Sequence, residues 1–356
     1  MGRVYEGRHP QTKARVAIKV LHFHVVRDRI AVERFKREFE SSLELNHPYV
    51  VKVLEFGDTG DGSQFLTMEY LEGQELGKVL GHGQRLAPAR VVRIISQAAL
   101  ALEHAHSFGF IHRDLKPDNI FLCRTPAGDE VRVLDFGSVK LQVETGAKLT
   151  AIGTTIGSPF YMSPEQAMGR SDVDQRTDVF ALGAILYEML TDKIAFDATN
   201  VAKILMRIMN EMPEPPSQVA PGCPAAFDQV VAKALSKAKD QRYGSVKELA
   251  AAVISAYGLA GAVEAWAGRS EAEIAAAIDA VPKPAPRVEE RPKPVLAPPP
   301  AAVASIDRGD PTVPKMRISR DERSLSTLTH GPNLSAMALI ALSVVVAAGL
   351  LVLLFR

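Results

Sequence analysis

Apolar residues recur along this chain with two different periods, and the changes between them mark out its elements. Arg15 to Leu21 is a short β-branched, apolar run of strand length. From Ala31 to Leu45 the spacing turns helical, with Phe35, Phe39, Leu43 and Leu45 on one side. Tyr49 to Phe56 and Gln64 to Glu69 read as strands, with Gly57-Asp58-Thr59-Gly60-Asp61-Gly62 as a turn-rich hairpin loop between them. Pro88 to Phe108 has the period of a long helix, with proline in the first turn, where its missing N–H is not needed. Asn119 to Leu122 leads into a short strand, and Val131 to Leu134 is another apolar run. Asp178 opens a strongly apolar helix that runs to Leu190. A charge before so apolar a helix needs buried partners. Ser270 to Ala280 predicts one more, alanine-rich helix, with Ser270 and Glu273 at capping-box spacing.

Beyond Ala280 the periodicity stops. Val281 to about Pro300 is proline-rich with interspersed charge, cannot build a core, and is expected to be an extended, disordered linker. Low hydrophobicity continues to Asn333, with Ser319, Ser324, Ser326, Thr327 and Thr329 lying near arginines. Leu334 to Phe355 is uncharged and almost wholly apolar. At about 1.5 Å per residue it reaches roughly 33 Å, enough to cross a bilayer as one transmembrane helix. Lys315, Arg317, Arg320 and Arg323 precede this run and only Arg356 follows it. The asymmetry puts the preceding residues in the cytoplasm. The expectation is a single-pass protein of the cell membrane, with the membrane as a partner through this helix. A homodimer formed by pairing of spans is left open, but Gly349 has no small partner four residues away to make a glycine zipper.

Composition narrows the picture only a little. The 356 residues carry 42 Lys and Arg against 41 Asp and Glu, a net charge of +1. That balance argues against a broad polyanion-binding surface and so against nucleic acid as a partner. Hydrophobic residues make up 47%, enough for a sizeable core. Two cysteines, Cys123 and Cys223, have no metal-ligand spacing, suit a reducing compartment, and read as ordinary buried or half-buried residues. The first residues show no secretory leader.

The chemistry concentrates in Ile111-His112-Arg113-Asp114-Leu115-Lys116-Pro117-Asp118-Asn119. Asp114 is a carboxylate able to accept a proton, Lys116 places a cation two residues on, and Asn119 offers a neutral oxygen of the kind that hard cations prefer. Sixteen residues after Asn119, Asp135-Phe136-Gly137 ends the apolar run Val131 to Leu134.

These two motifs resemble the catalytic loop and the magnesium-binding motif of eukaryotic-type serine/threonine protein kinases of the bacterial kind. Lys116, two residues after Asp114, is similar to the serine/threonine branch rather than the tyrosine one. The resemblance covers Met1 to about Tyr257. It implies an α+β, two-lobed fold, with a small β-rich lobe at 1–68, a hinge at 69–72 and a larger helical lobe at 73–257. A helical segment at 258–280, the linker at 281–333 and the span at 334–355 follow. It further implies transfer of the ATP γ-phosphoryl group to serine and threonine hydroxyls of protein substrates, with ATP and Mg2+ as cofactors, and autophosphorylation.

Residue by residue, the resemblance makes Asp114 and Lys116 catalytic, and Asn119 and Asp135 metal ligands. Val16-Ala17-Ile18-Lys19 is similar to the family's V-A-I-K, so Lys19 binds the α- and β-phosphates and Ala17 lines the adenine pocket. Glu38 is the expected ion-pair partner of Lys19, with Glu33 and Glu40 as alternatives. Met68 becomes the gatekeeper. The Glu69 carbonyl and the Leu71 backbone hydrogen-bond adenine, Glu75 accepts from ribose hydroxyls, and Phe121 floors the adenine site. Arg113 implies regulation by a phosphate between Asp135 and Glu165, with Thr150, Thr154 and Thr155 as candidate sites. Ser158 is read as a contact of Asp114 and Lys116. Asp178 anchors the catalytic-loop backbone, and Arg242 pairs with Glu165.

Two departures stand out. Ser163-Pro164-Glu165 stands in for A-P-E. Met1 to Glu6 resembles only the end of the glycine-rich loop, with Gly2 as its third glycine and Val4 as the valine over adenine. The expectation is that the chain starts at an internal methionine of a longer protein. The competing reading is a pseudokinase scaffold that displays the fold without chemistry. The missing glycines favour it, and the intact Lys19, Asp114, Asn119 and Asp135 oppose it.

Overall fold

The computed structural model describes residues 3–21, 36, 39, 40, 43–60, 63–136 and 159–282. Expectations for Gly2, Glu33, Glu38, Gly137, Thr150, Thr154, Thr155 and Ser158 fall outside these residues. So do those for the linker past 282 and for the apolar run 334–355.

The amino-terminal part is an antiparallel sheet of β1 (Arg3–Arg8), β2 (Arg15–Val20), β3 (Val53–Asp58) and β4 (Gln64–Glu69), in the order β1-β2-β4-β3. β1 lies at the edge, and its Val4 and Tyr5 are exposed. The core here is small. Leu21 and Leu66 are buried, with Phe39, Val53, Phe56 and Met68 packed around them. Phe39 stacks on Phe56 at 5.5 Å. Gln64 to Glu69 forms its strand at the expected bounds. Tyr49 to Phe56 does so only from Val53. The reason is a competing partner: the Val51 N–H donates to the Val133 carbonyl and the Val133 N–H to the Tyr49 carbonyl. Residues 49–51 therefore pair with the other lobe instead of with β4.

A second sheet follows, β5 (Gly73–Glu75), β6 (Ile120–Thr125) and β7 (Gly128–Val133) in sequential order. It sits against α1 (Pro88–Ser107), whose apolar face is fully buried. After the short α2 (Pro164–Ala167) comes α3 (Arg176–Thr191), in which every residue from Thr177 to Thr191 is buried. A helix apolar on all sides belongs at the centre of a lobe, and this one does. Against it pack α5 (Pro216–Val219), α6 (Ala226–Ala234) and α7 (Val246–Ala256), while α4 (Val201–Asn210) packs on α2. α3 approaches α6 closely at Gly183, where an added Cβ would come 2.7 Å from that of Ala234.

Two further helices, α8 (Val263–Ala267) and α9 (Glu271–Asp279), close the described chain. The predicted capping box is present, with Ser270 and Glu273 each accepting from the other's backbone N–H. α8 lies within the helical segment expected at 258–280, although the sequence predicts only Ser270 to Ala280 there as a helix in its own right. Both helices pack on α1, burying Trp266 and Ile274. No helix among the described residues is long and apolar enough to cross a membrane.

Candidate active site

The site grows from sheet register. Antiparallel partners share a face, so the pairings Val4 with Lys19, Lys19 with Leu66 and Ala17 with Met68 put Val4, Ala17, Lys19 and Met68 on one side of the first sheet. β4 ends at Glu69, and Leu71 lies in the connection to β5. Glu69 is engaged through backbone and side chain: its N–H donates to the Lys52 carbonyl, its carboxylate accepts from the Lys52 N–H at 2.9 Å, and Arg132 Nε lies 3.6 Å from the same carboxylate. In the second sheet Glu75 faces Phe121 across β5 and β6, and Glu75 also pairs with Lys78 at 3.0 Å.

Between α1 and β6 the chain turns sharply, and Asp178 of α3 holds the turn. Its carboxylate accepts from the His112 N–H at 2.8 Å, from the Arg113 N–H at 3.0 Å, and lies 2.7 Å from His106 Nε2. Burial alone would push this fully enclosed carboxyl up. The hydrogen bond from His106, the field of His112 and the backbone donor outweigh burial, so it stays below the usual carboxylate range. Arg113 is thereby fixed at a φ of 63°, a left-handed conformation that non-glycine residues avoid. The Gln166 amide donates to the Arg113 carbonyl at 2.6 Å.

The turn delivers the reactive groups. Lys116 Nζ donates to Asp114 Oδ2 at 3.0 Å, and Asn119 Nδ2 donates to the Asp114 carbonyl at 2.7 Å. Asp114 remains half-exposed, while Asn119 is buried. His112 ties the turn to the next motif. Its Nδ1 accepts from the Asp114 N–H, so its Nε2 carries the hydrogen that bonds the Leu134 carbonyl at 2.9 Å. The Leu134 N–H in turn donates to the Asn119 carbonyl. Asp135 follows at a φ of 58°, and Lys19 Nζ donates to its Oδ1 at 2.7 Å. One chain of contacts thus joins Lys19, Asp135, Asn119, Asp114 and Lys116 across both lobes.

Arg113 is half-buried, and its Nε is enclosed with no hydrogen-bond partner among the described residues. Burial pushes its guanidinium down from the ordinary arginine value, only partly offset by Asp178. Arg242 and Glu165 meet as expected, in a buried two-pronged pair at 2.8 and 2.7 Å. Sequence reasoning missed His106, Gln166 and the structural part of His112. A histidine late in a helix and a glutamine after Pro-Glu carry no local signal of the residues they hold, which lie far along the chain.

The oxygen donors of Asn119 and Asp135, held together through Leu134, fit a hard divalent cation that keeps part of its water and takes phosphate oxygens as further ligands. Known proteins give the same picture. The model of the protein kinase domain matches residues 1–254. The chain is 40% identical over 252 residues to the serine/threonine-protein kinase pkn3 of Myxococcus xanthus, covering 69% of this chain and 46% of that one. It is 38% identical over 253 residues to the serine/threonine-protein kinase PknH of Mycobacterium tuberculosis, covering 71% and 39%. It therefore spans less than half the length of these curated relatives. The crystal structure of the Mycobacterium tuberculosis PknI kinase domain superposes with a TM-score of 0.57 at 28% identity, over 72% of this chain and 91% of that one. A β-sheet lobe joined to a helical lobe, with the catalytic turn between them, is the two-lobed kinase fold, and the chain belongs to the protein kinase family, among its bacterial serine/threonine members.

Proposed function

We propose that this chain transfers the γ-phosphoryl group of ATP to serine and threonine hydroxyls of protein substrates. The observation that carries the reading is the unbroken set of contacts from Lys19 through Asp135 and Asn119 to Asp114 and Lys116. Asp114 is held by Lys116 at one oxygen only, and the other accepts the proton of an incoming hydroxyl. Lys116 then lies beside the charge that gathers on the transferring group. Lys19 and Asp135 are an ion pair whose cation suits phosphate oxygens and whose anion suits a metal. Asn119, its amide nitrogen committed to Asp114, keeps its oxygen for the same metal. ATP with Mg2+, when bound, supplies the phosphoryl group and the charge neutralisation that lets it move.

Val4, Ala17 and Met68 from above and Phe121 from below are the residues assigned to adenine, with the Glu69 carbonyl and the Leu71 backbone as its hydrogen-bond partners. Glu75 is assigned to the ribose, in competition with Lys78. Glu38 is the proposed helix partner of Lys19. A phosphate on Thr150, Thr154 or Thr155 is the partner that the enclosed Arg113 nitrogen calls for. The uncharged run 334–355 and its basic flank support a single-pass anchor in the cell membrane, with the catalytic residues in the cytoplasm beside ATP.

The test is phosphate transfer from ATP–Mg2+ by the full chain to otherwise identical serine, threonine and tyrosine peptides. Transfer to the first two is expected, with Lys19→Met and Asp135→Asn each lowering it on the order of a hundredfold. Full transfer by either variant refutes the assignment.

A further inference from the structure

The family match ends at residue 254, yet the described chain continues into α8 and α9. Their contacts are unusual for a mere appendage. The last carbonyls of a helix have no donors within it and need outside ones. For Ala267, the last residue of α8, they come from a buried side chain of α1 and from the other lobe, and a second α1 side chain serves the link to α9. Gln97 Nε2 donates to the Ala267 carbonyl at 2.8 Å, and the Tyr49 hydroxyl reaches the same oxygen at 3.4 Å. The Arg93 guanidinium donates to the Arg269 carbonyl, and its Nε to the Asp129 carbonyl at 2.6 Å. The dependence runs both ways, because Gln97 and Arg93 are themselves buried and need acceptors.

The same Gln97 acts on β7. Its Oε1 accepts from the Val131 N–H at 2.8 Å. At the hairpin, Glu271 of α9 accepts from the Asp129 N–H at 2.8 Å, and the Glu271 N–H donates to the Ala127 carbonyl. Gly128 lies between these, at a φ of 107°, so close that an added Cβ would meet the Glu271 side chain at 2.5 Å. β7 runs on directly to Leu134 and Asp135. Tyr49, besides touching Ala267, accepts from the Val133 N–H through its own carbonyl. One turn of the tail therefore bears on α1, on β7 and on the segment that enters the first sheet.

We propose that α8 and α9 act through Gln97 to hold β7 in place, so that this tail positions Asp135 for metal and nucleotide, with Gln97 as the positioning residue. The assignment rests on the kinase reading for the role of Asp135. It makes the tail a working part of the catalytic unit, since releasing it strands the Gln97 amide and frees the Val131 end of the strand.

The experiment is amide hydrogen exchange of the full chain without nucleotide, paired with the KM for ATP–Mg2+ and for a serine peptide. Gln97→Glu keeps an acceptor for Val131 but turns a carboxylate oxygen toward the Ala267 carbonyl. Trp266→Ala loosens α8 without touching Gln97. Glu271→Ala is milder, on a partly exposed residue, and serves if either of the others fails to fold. Expected are roughly tenfold faster exchange at Val131 and Val133, or at Asp129 and Val131 for Glu271→Ala, and a several-fold higher KM for ATP–Mg2+ with the peptide KM unchanged. Faster exchange confined to residues 260–280, or an unchanged KM for ATP–Mg2+ in a folded variant, overturns the proposal. The exchange readout needs no catalysis, so faster exchange at Val131 in a chain that transfers no phosphate counts for the coupling and against the kinase reading.

Discussion

Asp178→Asn is the substitution that tests the architecture of the site most directly, because one side chain holds three groups. Its two oxygens accept from the backbone N–H groups of His112 and Arg113, and His106 bonds it as well. Hydrogen bonds to a buried charge contribute about 1.5–3 kcal/mol each. Asparagine keeps one acceptor oxygen and turns an NH2 group toward a donor, which leaves one backbone N–H enclosed without a partner, a penalty of about 1–3 kcal/mol. The sum is about 3–5 kcal/mol. For a chain of this size each kcal/mol moves Tm by about 2–4 °C, so a drop of about 6–20 °C is expected. The chain should still fold, since domains are stable by about 5–15 kcal/mol.

Activity should fall further than stability alone requires. Arg113 sits at a φ of 63°, a conformation that is disfavoured by about 1–3 kcal/mol unless held. Without the carboxylate, the turn that places Asp114 is free to relax, and kcat should fall at least tenfold at temperatures where the variant is folded. The assay is differential scanning fluorimetry beside phosphate incorporation into a serine peptide at 20 °C. Hydrogen bonds outweigh burial and hold the carboxyl below its ordinary value, so the anchor is complete at neutral pH and is lost only as pH falls through that lowered folded-state pKa. A variant with a Tm within 1 °C of the parent and unchanged kcat would refute the reasoning.

Further outcomes follow from other contacts. Glu165→Ala leaves the buried Arg242 guanidinium without its counter-charge and should destabilise the chain by about 3–5 kcal/mol in urea unfolding; a loss under 1 kcal/mol would contradict it. His47 stacks on His104 at 5.0 Å, and burial with the neighbouring ring holds its pKa down to about 4. An unfolded histidine titrates near 6.5, so stability should decline as pH drops from about 6.5 toward 4, by about 1–2 kcal/mol after discounting for its partial exposure; His47→Gln should remove that slope. Ser270→Ala breaks the capping box of α9 and should lower stability by about 1 kcal/mol, read as a shift in urea midpoint with an unchanged slope.

The legible and illegible parts of this chain differ in a physical way. Asp114, Lys116 and Asn119 are read from the sequence because their chemistry needs particular atoms at short, fixed separations along one turn, and Asp135 because it closes the apolar strand run sixteen residues further on. The central helix α3 is read from its composition, because a helix apolar on every side has nowhere to go but inside. The strand expected over Tyr49 to Phe56 begins only at Val53, because local propensity does not register a partner elsewhere, and β7 takes residues 49–51. His106, Gln166 and Gln97 are silent for the same reason. Each is an ordinary helical residue whose role lies in a group 34 or more residues away.

That contrast bears on how the site is built. The reactive side chains are presented on strained backbone, with Arg113 and Asp135 both at positive φ. Neither residue can hold that conformation by its own preference, so the strain has to be balanced by bonds from outside the motif. The Asp178 carboxylate and the Gln166 amide supply them at Arg113. At Asp135, Lys19 reaches across from the other lobe, and the His112 ring and the Asn119 carbonyl hold the preceding Leu134. The motif states which atoms react, and the scattered buried partners determine whether those atoms are held where the reaction needs them. Substitutions at His106 or Gln166 should therefore weaken catalysis while every motif residue remains in place, with kcat falling and the sequence signature unchanged.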